Sequence, residues 1–366
     1  MSAIRLDADV LQETLAVAGR NEFLRQQLFD ALRRAEEEAD DPATFRDQVR
    51  WPLVRAALQE VDTHRVMLED GLIFDVAPES RIEKALLLSP TAHPDHVWEP
   101  QTTRLLLRLA DSARHVLVGG AYIGDHVLPI AKRLGSRGEV HAFEPMPRAF
   151  RRLLHNIAVN GIENVRAHRR AVWDTSGIPL CLAGDAALAS CRESSDEGDS
   201  ENGIVVTSVT VADYVREVRL PSLDLISLDL EGGEERALRG AVEFLDLPTG
   251  TAPNFVFEIH RDYVDWTAGL ANTSVAQLLL SRNYSVYAIR DFHDNYSMAG
   301  QPIEVIPIER VYLGGPPHGF NMLATKDPSL LGSLGLKVVN DVSPKLILHK
   351  DPALHHPVGG LQQTRR

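Results

Sequence analysis

From the amino end, apolar residues first recur at helical spacing. In NEFLRQQLFDALRRAEEE, Leu24, Leu28, Leu32 and Ala35 return every three or four places, which predicts an amphipathic helix with one buried stripe. Asp41-Pro42 has the form of an N-cap followed by proline at the first helical position. Phe45, Val49, Leu53 and Leu58 continue the stripe, and Pro52 is placed to end or kink that helix. The period then changes to two. THRVMLEDGLIFDV alternates on either side of Asp70-Gly71, a hairpin pattern. Turn formers dominate from Ala77 to Thr103, where TTRLLLRLA opens another helix.

From about residue 112, short β-type runs alternate with helical stretches: HVLVGG, HVLPIAKRL, EVHAFEP, RAFRRLLHNIAVN, NVRAHRRAVW, then DLISLDLEG, ERALRGAVEFL, NFVFEIH, SVAQLLLSRN, YSVYAIR and GFNMLAT. This alternation predicts an α/β fold with a mostly parallel sheet. RESSDEGDSEN (192–202) reads as an exposed acidic loop, and no clear element is readable after residue 330. The expected organisation is an N-terminal helical and hairpin region over 1–100, serving as a lid or dimerisation part, a catalytic domain over 101–330, and a tail over 331–366.

Composition narrows the classes. The chain has 366 residues, 44% of them apolar and 24% charged, as in an ordinary globular protein. No apolar run reaches the roughly 18–20 residues of a membrane span, MSAIRLDADV lacks a signal pattern, and Cys181 and Cys191 cannot build a disulfide framework. A cytoplasmic protein is expected. With 38 basic and 51 acidic side chains, the net charge of −13 disfavours nucleic acid and anionic membranes. A small-molecule substrate is the expected partner, and a homodimer is left open. The basic groups Arg148, Arg151 and Arg152, and Arg166, His168, Arg169 and Arg170, read as solvated faces.

The segment VLVGGAYIGDHVL carries the first chemistry. An apolar strand feeds Gly119, Gly120, Ala121, Tyr122, Gly124 and Asp125, and a helix follows; such a turn lets backbone approach a ligand at a helix N-terminus. Glu144, followed by Pro145, closes the next strand, where a carboxylate can accept both hydroxyl protons of a ribose. Ala121 breaks the dinucleotide register, which makes a NAD-linked oxidoreductase the weaker reading, and no phosphate-binding lysine loop is present. Gly120 to Gly124 instead forms the looser turn used by S-adenosylmethionine methyltransferases.

With GAYIGDH, AFEPMPRAFRRLLHNIAVNGIENV, RAVWD, LISLDLEGGEERALRGA and VFEIH in order, the chain resembles the FkbM family of S-adenosylmethionine-dependent methyltransferases from about 116 to 326. The resemblance implies a doubly wound, Rossmann-like class I methyltransferase sheet behind the helical and hairpin extension. It further implies that Gly120, Ala121 and Gly124 line the cofactor, that Glu144 holds its ribose, and that Ala171 and Val172 flank the adenine. Val118 and Tyr122 stand where the family usually has aspartate and asparagine.

Asp229 and Glu231 end one apolar strand; Glu258 and His260 end another. Two-residue spacing puts each pair on one face, at the sheet edge where open α/β folds bind ligands. Methyl transfer to a hydroxyl needs alignment and a proton acceptor. His260 is the first candidate base, with Asp229 facing the sulfonium and Glu231 or Glu258 orienting the imidazole or sharing its role. The bland alternative has Glu231 capping the following helix and Glu258 pairing with an arginine. These groups also suit Mg²⁺ or Mn²⁺, although no spacing is diagnostic and no metal ligand is assigned. Loop residues His96, Trp98, Glu99, His293, Asn295, His318 and Asn321 are turn residues or substrate contacts. The expected reaction is O-methylation of a sugar or natural-product hydroxyl. N-methylation of an amine, and a non-catalytic cofactor-binding module, stay open as alternatives.

Overall fold

The computed structural model describes residues 7–183, 190–193, 204–313 and 319–346. The chain divides into two compact units, one spanning 1–98 with 294–297, the other 99–293 with 298–366.

In the first unit, the helix Glu22–Glu37 buries Arg25, Phe29, Leu32 and Glu36. The stripe is therefore rotated from the one expected: Leu24 and Ala35 face solvent. Hydrogen bonding makes the rotation possible, because Arg25 reaches the Gly19 carbonyl and His64, while Glu36 accepts from Arg46 and from the fully buried Arg50. A buried charge that is paired is tolerable where an unpaired one is not. The chain passes through a π-turn, Arg46–Arg50, into the helix Trp51–Ala57, with Pro52 in its first turn. Strands β1 (His64–Met67) and β2 (Ile73–Val76) form the expected hairpin, closed by Gly71 at φ +87°.

The second unit holds the strands β3 (His115–Gly119), β4 (Glu139–Phe143), β5 (Val165–His168), β6 (Ala171–Val172), β7 (Pro179–Ala183), β8 (Ser190–Glu193) and β9 (Ile204–Val209). It continues with β10 (Leu225–Leu228), β11 (Asn254–Ile259), β12 (Ser285–Ile289), β13 (Ile303–Pro307), β14 (Phe320–Thr325) and β15 (Leu336–Val338). The main sheet runs in the order β15-β13-β12-β14-β11-β10-β3-β4-β5. From β11 to β5 its pairings are parallel; β14 inserts antiparallel to both β11 and β12. Strand order reverses between β3 and β10. With right-handed crossovers the two halves carry their helices on opposite faces, which is the doubly wound α/β arrangement expected. Leu117, Ile226, Leu228, Phe255, Phe257 and Met322 are buried in its core; each large apolar side chain so buried contributes roughly 1.5–3 kcal/mol.

Three differences from the sequence pattern have physical reasons. NVRAHRRAVW is two strands in two sheets, β5 in the main sheet and β6 pairing with β9. The second sheet, β6-β9-β7-β8, and the strand β13 were not expected; β9 opens with two exposed residues, Ile204 and Val205, which blurs its alternation. After residue 330 a short helix, Leu330–Ser333, precedes β15, which adds to the sheet edge beside β13 with three residues, too few to show a period. The acidic loop lies outside the described residues from 194 onward. Among the described residues, no helix is long and apolar enough to cross a membrane.

Candidate functional site

The strand order reverses between β3 and β10, so the carboxyl ends of these strands form the cleft where open α/β sheets bind ligands, and the glycine turn follows β3 there. Gly120 and Gly124 adopt φ +77° and +97°. A Cβ on Gly120 would fall 1.7 Å from the Asp229 carbonyl oxygen, so the backbone after β3 runs directly against that after β10; Asp229 N donates to the Gly119 carbonyl. Gly120 N and Ala121 N both donate to Phe143 O at the end of β4. Asn156, buried on the helix Pro147–Val159, donates its amide to Ile123 O at 3.0 Å. Asn156 thus fastens the turn, and in the sequence only a polar residue on an apolar helix face signals it.

Glu144 is buried at the tip of β4. One carboxylate oxygen accepts from Tyr122 N and the other from Met146 N, each at 2.8 Å. Each oxygen keeps a second lone pair. Burial raises this group to about 7; the two backbone N–H groups oppose the shift, and Asp125 and Asp229 add to it. Asp125, buried beside the turn, is also raised to about 7 by burial. Pro145 follows half-buried. Ala171 and Val172 are buried in β6, and Val172 Cγ2 comes within 3.5 Å of the position a Gly119 Cβ would take, which sets it beside the turn.

Asp229, Glu231 and Glu258 do converge, their nearest oxygens lying within 4.8 Å of one another. The route differs from the expected alternation. Strand β10 ends at Leu228, and Glu231 sits at φ +50°, so its direction is set by a left-handed turn. Among the described residues no side chain caps the helix Glu234–Arg239; Glu234 fastens the turn before it, accepting from Leu230 N at 2.6 Å and Gly232 N at 3.1 Å. Glu231 instead accepts a long bond from Tyr263 Oη and is raised to about 7 by burial, then by Asp229. Asp229 is raised to about 6 by desolvation and then by Asp125, with His126 opposing, although its side chain opens to solvent and water screens part of that shift. Glu258 stands well above the usual range through burial and four neighbouring carboxylates, Asp229 first. Gly319 makes room for it: a Cβ there would meet Glu258 Oε1 at 1.9 Å and His260 Cδ2 at 2.7 Å.

His260, just past β11, accepts at Nδ1 from Asp262 N at 3.1 Å, and burial lowers its pKa. That bond puts the proton of the neutral ring on Nε2.

Of the loop residues, Glu99 and Asn321 belong to this cleft. Glu99 is buried in the left-handed region at φ +50°, its oxygens 2.7 Å from Asn321 Nδ2 and 3.2 Å from His293 Nε2. Burial, Asp291 and Asp229 drive its pKa well up. Asp291, missed in the sequence, accepts from the N–H groups of Gln101 and Thr102 and so caps the helix Pro100–Ala110. Asn295, in the first unit, ties down the His96 and Val97 carbonyls; His96 and Trp98 also lie in that unit. His318 lies outside the described residues.

Glu99, Tyr122 and Glu231 are three non-glycine residues with positive φ around one cleft. Such strain costs about 1–3 kcal/mol each and gathers at binding sites. Among the described residues no lysine or arginine pairs with Asp125, Glu144, Asp229, Glu231 or Glu258. The cleft is thus short of positive charge and chemically suited to a cationic ligand.

Residues 119–286 match the family described as the Methyltransferase FkbM domain. Solved structures similar to the chain include the O-methyltransferase from Bacillus cereus in complex with SAH, at 13% identity over 62% of this chain and 80% of that one, TM-score 0.35. Others are the O-methyltransferase TomG from Streptomyces achromogenes, at 11% over 62% and 78%, TM-score 0.32, and an rRNA methylase from Streptococcus thermophilus, at 14% over 62% and 95%, TM-score 0.33. Comparison with curated proteins finds no match.

Proposed function

We propose, from the match of residues 119–286 to the Methyltransferase FkbM domain, that the protein uses S-adenosylmethionine to methylate a hydroxyl of a small molecule, a sugar or natural product. What supports this reading is the carboxyl edge of the sheet, where the glycine turn lies beside carboxylates that no lysine or arginine pairs with among the described residues. When bound, S-adenosylmethionine supplies an electrophilic methyl group on a positively charged sulfur. Glu144 offers its two remaining lone pairs to the ribose hydroxyls. Gly120, Ala121 and Gly124 present backbone, Ala171 and Val172 an apolar wall, and Asp125 and Asp229 negative charge toward the sulfonium.

The acceptor's proton goes to His260 or to a carboxylate. His260 as base must give up the Asp262 bond at Nδ1 or shift its tautomer. Glu231, near 7, needs neither. A Mg²⁺ ion held by Asp229, Glu231 and Glu258 is a second reading, favoured by their spacing; it would lower the acceptor hydroxyl's pKa.

Calorimetric titration with S-adenosylhomocysteine, wild type beside Glu144→Ala, tests the cofactor. Binding in the micromolar range, near −8 kcal/mol, should weaken on the order of tenfold or more in the variant. Absence of wild-type binding overturns the reading. Full turnover after exhaustive chelation removes the metal, and full rate in His260→Ala shifts the choice to Glu231 or to an amine acceptor.

A further inference from the structure

At the amino ends of β3 and β4, the opposite edge from the cleft, three ligand-type side chains converge. His115 and Glu139 open their strands as register partners, and His141 follows Glu139 by two on the same face. Glu139 Oε1 lies 3.8 Å from His115 Nδ1 and 3.5 Å from His141 Nε2, and all three atoms fall within 4.8 Å of one another. Both nitrogens are shielded from solvent and neither has a hydrogen-bond partner; His141 itself is only 2% exposed.

The far side of His141 explains which nitrogen is available. Its Nδ1 lies 2.7 Å from Tyr214 Oη, which lies 2.7 Å from His168 Nε2. A relay in which His141 Nδ1–H donates to Tyr214, and Tyr214 to His168, satisfies every group in it. This order, rather than its reverse with Nε2 protonated toward Glu139, is the one a bound metal would select, because it leaves His141 Nε2 with a lone pair aimed at a carboxylate oxygen. Two such electron-rich atoms repel unless a cation lies between them. Arg166 Nε approaches the other oxygen of Glu139 at 3.4 Å, turning Oε1 toward the rings.

We propose that His115, Glu139 and His141 bind a divalent transition-metal ion, with zinc the best fit. Two imidazoles and one carboxylate are zinc ligands, and bonds of about 2.0–2.1 Å in a tetrahedron put neighbouring ligand atoms about 3.3 Å apart. The two Glu139 spacings already approach this, and rotation of the half-buried His115 ring closes the third. A solvent-facing depression of about 610 Å³, lined by His115, Glu139 and Arg166 among others, gives water access to the fourth position. The Tyr214–His168 relay does for His141 what an acceptor on the distal nitrogen does for zinc-bound histidines in general, fixing ring and tautomer. The Asp229 cluster, all oxygen, suits harder cations instead.

The test is titration of the untagged full-length protein with Co²⁺, followed by Zn²⁺ competition. Saturable visible absorption bands of a four-coordinate site, displaced by zinc, are expected. Glu139→Gln and His115→Ala should weaken binding at least tenfold, and Tyr214→Phe, which removes only the relay, by about 10- to 100-fold. Glu258→Gln should leave the bands unchanged, and circular dichroism of the metal-free variants checks that each is folded. Absence of saturable bands in the wild type overturns the proposal. So does their survival in Glu139→Gln, or their loss in Glu258→Gln.

Discussion

The two ends of the same parallel strands are built on opposite rules. At the carboxyl ends, backbone is forced into left-handed conformations at Gly120, Tyr122, Gly124 and Glu231, and carboxylates crowd together with no lysine or arginine partner among the described residues. At the amino ends, Arg166 accompanies Glu139, and His141, Tyr214 and His168 form a closed relay. One end stores strain and charge that a ligand can relieve. The other is largely settled, save for the two imidazole nitrogens already described. Stability and function are thus separated along a single strand length.

The largest expected effect lies in the chemistry at the carboxyl end. Removing the proton acceptor, through His260→Ala or Glu231→Gln, should lower kcat by roughly 10²–10⁴-fold with cofactor affinity little changed, as single-turnover kinetics and calorimetry would show. Next comes the turn. Gly120→Ala drives a methyl into the Asp229 carbonyl and should cost about 3 kcal/mol in denaturant unfolding. Gly161→Ala, toward the amino end of β5, also has positive φ but meets open space, so about 1 kcal/mol is expected. Equal losses at the two positions would break the contrast.

The smaller effect is electrostatic. Asp229 titrates near 6, and Asp125, Glu144 and Glu231 near 7, all above their unfolded values. Folded protein therefore holds protons that unfolded protein has lost between about pH 4 and 7. Stability without cofactor should fall as pH rises through that window and level off above it. Over pH 6 to 8 these groups become anionic, so S-adenosylmethionine should gain affinity over the neutral-sulfur product S-adenosylhomocysteine, on the order of tenfold. A ratio independent of pH would show the carboxylates to be elsewhere occupied.

Much of the cleft was readable in the sequence because its parts sit where strands end, and strand ends are marked by apolar runs. Glu144, Asp229 and Glu258 follow from that alone. Asn156 and Asp291 did not, since each acts on backbone far away in the sequence and nothing local betrays the partner. His168 was taken for part of a solvated basic face; it stacks on Phe143 and bonds Tyr214, because its register partner in β4 brings it over the core. The rotated stripe of Glu22–Glu37 has a related cause. Spacing of apolar residues reports the buried face only when polar residues stay outside, and there Arg25 and Glu36 do not.

The cap on the helix Pro100–Ala110 has a consequence for how the protein is made. The helix has no side-chain cap of its own, and Asp291, 190 residues later, supplies its first N–H partners. During synthesis the start of that helix must wait, its N–H groups held by water, until β12 and the turn after it have left the ribosome. A chain truncated before residue 291 would carry the whole glycine turn and still lack this closure, so folding of the second unit is expected to finish late and all at once rather than segment by segment.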